Sequence, residues 1–139
     1  MLSSVATPGG LVTLVEGPSF CISAGDGDLD GARTAGAAGL YVADRRVLSR
    51  CVLRVNGRAP AAVDHVLDDP AAATFVSRAA RAAPAEAGGG PGPGPGPIVV
   101  RRRTLDLGLR DEIDVRNPGN EPTYVEVEVD LGADMATAA

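Results

Sequence analysis

Tyr124-Val125-Glu126-Val127-Glu128-Val129-Asp130-Leu131 alternates apolar and acidic side chains along its whole length. Successive side chains of a strand point to opposite faces, so this period of two predicts a strand. Val125, Val127, Val129 and Leu131 form its inner face; Glu126, Glu128 and Asp130 face water. Upstream, Leu109 to Arg116 sets Arg110, Glu112, Asp114 and Arg116 on one face, with Ile113 and Val115 on the other. Between the two lies Asn117-Pro118-Gly119-Asn120, with Pro and Gly suited to the central positions of a turn. Leu109 to Leu131 therefore reads as an antiparallel hairpin with one wet face.

Further strands are expected on either side of the next breaks. Ile98 to Leu105 is one, and Ala73-Thr74-Phe75-Val76-Ser77 another, although the Ala-rich surroundings from Pro70 to Ala83 also suit a helix. From Val47 to Val55 alternate residues are apolar or small, and the run ends at Asn56-Gly57. Asn-Gly accepts φ > 0 at both central positions of a type I′ turn, so a hairpin is expected there. The return strand starts at Arg58, and Pro60, which lacks an N–H, places it at a sheet edge. Leu11 to Val15 and Ser19 to Ser23 are short strands; Ala24 to Gly39, rich in Gly and Asp, reads as a loop. Many short strands with turn signals between them predict an all-β fold, an antiparallel β-sandwich.

The chain of 139 residues is long enough for one domain with its own core. That core must be aliphatic, because Trp is absent and there are only two Phe and two Tyr. The domain is expected over residues 11–134, with flexible ends at 1–10 and 135–139. A Gly/Pro-rich loop at 84–97 interrupts it, since Pro removes backbone donors and Gly raises the cost of order. The formal net charge of −5 argues against nucleic acid, whose phosphates select basic surfaces. The only basic run, Arg101-Arg102-Arg103, reads as one strand with arginines on both faces and at least one in water. There is no signal peptide and no apolar run of membrane-spanning length, so a cytoplasmic protein is expected.

Candidate chemistry is sparse. Cys21 and Cys51, with the single His65, cannot complete a zinc site, and two buried free thiols are expected. Asp26-Gly27-Asp28-Leu29-Asp30-Gly31 opens like a calcium loop, but Ala37 stands where the bidentate Glu is required. An acidic turn is expected instead, with no metal and no cofactor. His65 has no GxSxG serine to serve. Glycosidase chemistry needs two carboxylates flanking a sugar pocket. Asp44, Asp64, Asp68, Asp69, Asp111 and Glu112 supply carboxylates in no setting that raises a pKa, and few aromatics exist to stack on a sugar. Asp44-Arg45-Arg46 stands out, because a carboxylate and a guanidinium between two strands can lock a loop by bidentate hydrogen bonds.

Several stretches together resemble a known family. Leu14-Val15-Glu16-Gly17-Pro18-Ser19-Phe20-Cys21-Ile22-Ser23 is followed by Gly25-Asp26, then by Gly39-Leu40-Tyr41-Val42-Ala43-Asp44-Arg45-Arg46-Val47-Leu48-Ser49-Arg50 and Leu53-Arg54-Val55-Asn56-Gly57. Arg102-Arg103-Thr104, Val115-Arg116-Asn117 and Val127-Glu128-Val129-Asp130-Leu131-Gly132-Ala133-Asp134 continue in order. These resemble the N-terminal domain of bacterial glycogen debranching enzymes of the amylo-alpha-1,6-glucosidase type, which are glycoside hydrolases. The family pattern near Asp44 is Asp-Thr-Arg with Leu-Ser two residues on; here Arg45 replaces the Thr.

The resemblance implies a non-catalytic module that packs against a C-terminal α-helical toroid and helps shape an α-glucan site. Asp44 and Arg46 are its substrate-binding or loop-ordering candidates; none of its residues is expected to be catalytic. The toroid is absent from this sequence, so the resemblance implies a chain truncated before the catalytic domain, with the sandwich incomplete and a sheet edge left open at its C-terminal end. The alternative is a stand-alone carbohydrate-binding or interaction module, self-associating through an exposed edge strand.

Overall fold

The computed structural model describes residues 10–82 and 96–137; the bulk of the expected Gly/Pro loop lies outside the described residues. Among the described residues there are ten strands: β1 Val12–Glu16, β2 Ser19–Ser23, β3 Gly39–Val42, β4 Arg45–Leu48, β5 Arg50–Val55, β6 Ala61–Asp69, β7 Ala72–Arg78, β8 Ile98–Leu105, β9 Leu109–Arg116 and β10 Val127–Gly132. A 3₁₀ turn at Gly31–Arg33 is the one helical element among the described residues, so none contains a helix long and apolar enough to cross a membrane.

All strand pairs are antiparallel, in three sheets: β1-β2-β3-β4, β10-β5 and β6-β7-β8-β9. The third sheet is one layer of a sandwich. The other two lie side by side as the opposing layer, because the chain passes from β4 to β5 at Ser49 and changes sheet there. Two apolar clusters fill the interior. Val12, Leu14, Cys21, Leu29, Leu40 and Cys51 pack on Ala73, Phe75 and Leu105. Leu53 and Val55 pack on Ala79 and Val99, flanked by Ile113 and Val125. The core is aliphatic as the composition requires, and both cysteines are free and buried.

Three expectations need correction. Leu109 to Leu131 is not a hairpin. Strand β9 pairs with β8, and β10 crosses to the other layer to pair with β5, setting Val127 opposite Val55 and Val129 opposite Leu53. The connection from Asn117 to Glu126 is long enough to change layers. Its start is an Asx turn, with Gly119 N–H donating to Asn117 Oδ1 at 2.9 Å. The apolar face of β10 finds an apolar partner in β5, while β9 carries a carboxylate that β8 requires.

Secondly, the Asn56-Gly57 turn forms, with φ of 55° and 75°, and Val55 and Arg58 exchange hydrogen bonds of 2.9 and 3.2 Å across it. The return strand, however, leaves β5 after that bridge. Past Pro60 it becomes β6, which is the expected sheet-edge strand but pairs with β7. Thirdly, Gly39, the last residue of the expected Ala24 to Gly39 loop, opens strand β3, whose Leu40 and Tyr41 are buried against β2 and β4, with Tyr41 stacked on Phe20 at 4.6 Å.

The turn generates a test. A β-branched side chain in left-handed backbone costs about 1–2 kcal/mol, so Gly57→Val is expected to lower the urea-unfolding free energy by about that amount. Gly108→Ala, at a glycine with no positive φ and open space around it, is the control and should not show this loss.

Candidate functional site

Along β8 the inward positions are Val99, Arg101, Arg103 and Leu105. The two ends enter the two apolar clusters, and the two arginines lie between them. Arg101 and Arg103 are only 2% and 1% exposed, while Arg102 between them is exposed, as the alternation of a strand demands. A guanidinium cannot lose its proton in a protein, so burial requires a counter-charge. Strand β9 supplies it by register. Arg103 lies directly opposite Asp111, and donates from Nε at 2.7 Å and Nη2 at 2.7 Å to its two oxygens. Arg101 reaches the same carboxylate from Nε at 2.8 Å.

The second counter-charge comes from the acidic loop. Asp28 accepts from Arg101 Nη1 at 2.9 Å and from Leu53 N–H at 3.1 Å, and its other oxygen accepts from Arg33 Nη1 at 3.2 Å. Arg33 also pairs with Asp26 at 3.0 Å. The calcium-like segment is therefore occupied by guanidinium groups. Gly27 lets the loop lie on the core: its φ is +92°, and a Cβ there would stand 2.9 Å from the Phe75 ring. Arg103 also lies over that ring, its guanidinium carbon 5.5 Å from the centroid. Arg101 Nη2 donates to Cys51 Sγ at 3.3 Å.

This environment splits the two carboxyls. Burial pushes Asp28 up, the Asp26 charge adds to that, and the bonds from Arg101 and Leu53 only partly offset it. Burial also pushes on Asp111, but Arg103 and Arg101 outweigh it and hold the carboxyl below its ordinary value. Burial raises both thiols, Cys21 to about 11, so neither is a ready nucleophile. Asp26, Asp28, Ser77 and Arg101 line a cavity of about 10 Å³ with Leu53 and Pro60, space for one water molecule and not for a sugar.

The residues singled out from the sequence occupy a different place. Ala43 and Asp44 form the tight turn between β3 and β4, with φ of 49° and 66°, and Asp44 is exposed at its tip. Arg46 makes the expected bidentate carboxylate pair, but with Asp134. Its Nη1 donates to Gly36 O at 3.1 Å and Ala38 O at 3.3 Å, its backbone N–H donates to Ala136 O at 2.7 Å, and Arg45 bridges to Thr137. Arg46 thus ties the segment after β10 and the loop before β3 to one strand. The Arg46 bonds hold the Asp134 carboxyl below its ordinary value. His65 lies on β6, with its ring 6.3 Å from Phe75.

The buried charge cluster escaped the sequence reading, although it left a signal there: arginines at the two inward positions of a strand flanked by Val99 and Leu105. The family is decided by the whole pattern. A family model for the N-terminal domain of (some) glycogen debranching enzymes matches residues 14–138. The chain belongs to this family. Neither curated proteins nor solved structures give a match. The match to this debranching-enzyme domain begins within β1 and runs through β2 to β10 and the segment held by Arg46.

Two outcomes follow from the geometry. Removing one partner of a buried ion pair costs about 3–5 kcal/mol, so Asp111→Ala should lose about that much unfolding free energy in urea at pH 7. Because the Asp111 pKa is depressed in the fold, its contribution is present above the unfolded carboxyl value and disappears as pH falls through the folded value. The difference between wild type and variant should therefore shrink in acid. Asp134→Ala should accelerate hydrogen exchange of the Arg46 amide while leaving the amides of β8 unchanged.

Proposed function

We propose that this domain is a non-catalytic N-terminal module of a debranching-type α-1,6-glucosidase, packing against the catalytic domain and helping to shape its α-glucan site. The observation that carries this reading is the family match over residues 14–138. The chemistry of the interior is consistent with it. Asp28 and Asp111 are neutralised by arginines within the fold, and the cavity beside Asp28 holds no more than water. Glycoside hydrolysis needs two carboxyls with a substrate between them.

In this reading the β3–β4 turn is the part that meets the glucan site. Asp44 presents a carboxylate at an exposed tip, without an ion pair among the described residues, and the Arg46–Asp134 pair anchors the hairpin beneath it. Asp44→Asn in a full-length family member is the test, because Asn tolerates left-handed backbone and removes only the charge. Turnover of a branched dextrin should fall with unchanged thermal stability; unchanged turnover would remove Asp44 from the site. The purified 139-residue chain should release no glucose from the dextrin and give no heat with maltooligosaccharides. Heat without a partner would favour the stand-alone carbohydrate-binding module.

A further inference from the structure

The inner face of β10 is apolar but uncovered. Val127, Val129 and Leu131 lie opposite the buried Val55, Leu53 and Cys51, on the side that faces the other layer. They nevertheless remain 43%, 45% and 62% exposed. The opposing sheet ends at β9, whose Ile113 and Val115 are themselves only half-buried, so nothing described lies over them. The strand edge is open as well. Among the described residues β10 pairs with β5 alone.

The backbone direction can be read from its neighbours. Glu126 C=O accepts from Asn56 N–H at 2.8 Å, and Glu126 N–H donates to Asn56 Oδ1 at 3.0 Å. Antiparallel pairing alternates, so the N–H and C=O groups of Val127, Val129 and Leu131 point away from β5. The same three residues therefore offer an apolar face and an unpaired ladder. The outer face of the strand is acidic. Asp130 is held by Arg50 at 2.7 Å, whereas Glu126 and Glu128 have no ion pair among the described residues. Tyr124, 95% exposed, stands at the entrance.

We propose that β10 is a docking edge for an extended segment of another polypeptide in which apolar residues alternate with Lys or Arg, added as a further strand. This names the surface through which the module of the previous section meets its partner, and it rests on that reading. Side chains on a sheet keep their face across a pair, so an added strand must set apolar residues beside Val127, Val129 and Leu131. Its other residues then lie beside Glu126, Glu128 and Asp130, where opposite charge is favourable and like charge is not. A second copy of β10 fails this condition in any such register, because acids always meet acids. Strand addition of this kind draws affinity from the backbone and selectivity from alternate side chains.

The test uses the full chain and a synthetic nine-residue peptide alternating valine and lysine, titrated by NMR. Saturable shifts are expected at Val127–Leu131, with new amide protection at Val127, Val129 and Leu131 and none at Glu128 or Asp130. The affinity should fall as salt rises. The Glu126→Lys, Glu128→Lys double variant, altered only on an exposed face, should weaken binding at least tenfold and turn the preference toward a valine–glutamate peptide. Absence of saturable binding, shifts mapping to β6 or β1, or equal affinity for both peptides would overturn the proposal. So would protection of the same amides by concentration-dependent dimerisation without peptide. No catalytic domain is needed here, so failure is separable from failure of the dextrin assay.

Discussion

Two guanidinium groups between the layers constrain most of this molecule. Arg101 and Arg103 occupy inward positions of β8, where an uncompensated charge is prohibitively costly. Their carboxylates come from two directions, Asp111 from the next strand and Asp28 from a loop more than seventy residues earlier. A buried ion cluster adds little net stability over an apolar core of the same volume, but a mispaired one is severely unfavourable. Its effect is therefore selective. One register of β8 on β9 puts Asp111 opposite Arg103, and one position of the acidic loop brings Asp28 to Arg101.

The cluster also joins the parts of the sandwich. Asp28 bonds to Leu53 of β5 and to Arg101 of β8, while Arg101 touches Cys51 of β5. The seam between the two side-by-side sheets thus lies over the charged middle of β8. At the far side Arg46 performs a comparable task on the surface, connecting β4 to Asp134 and to the backbone at Ala136. Exposed, this second pair is worth less in energy and more in geometry. Together the two devices account for most of the side-chain ion pairs that cross between elements among the described residues, and Asp44, Glu126 and Glu128 are among the exposed carboxylates outside them.

The sequence carried the strands more faithfully than their partners. Leu11 to Val15 (observed as Val12–Glu16), Ser19 to Ser23, Ile98 to Leu105 and Leu109 to Arg116 were legible because alternation and turn residues are local properties. The Asn56-Gly57 turn was legible for the same reason. Pairing is not local. The regular alternation from Tyr124 to Leu131 suggested a hairpin with its neighbour, yet the inner face of β10 matches the apolar face of β5 better than the charged β9. The Asp44-Arg45-Arg46 run suggested a local carboxylate–guanidinium lock, whereas Arg46 pairs with Asp134, 88 residues away.

What the sequence alone determined is thus the all-β class, the aliphatic core with two free thiols, the Asn56-Gly57 turn and, through many matches in order, the debranching-enzyme family. Tertiary structure alone decided which strands meet, which arginines are buried, and which apolar face stays uncovered. The physical reason is range. Backbone preference and side-chain alternation act over a few residues, whereas burial of a charge or an apolar face depends on what the rest of the chain brings to it.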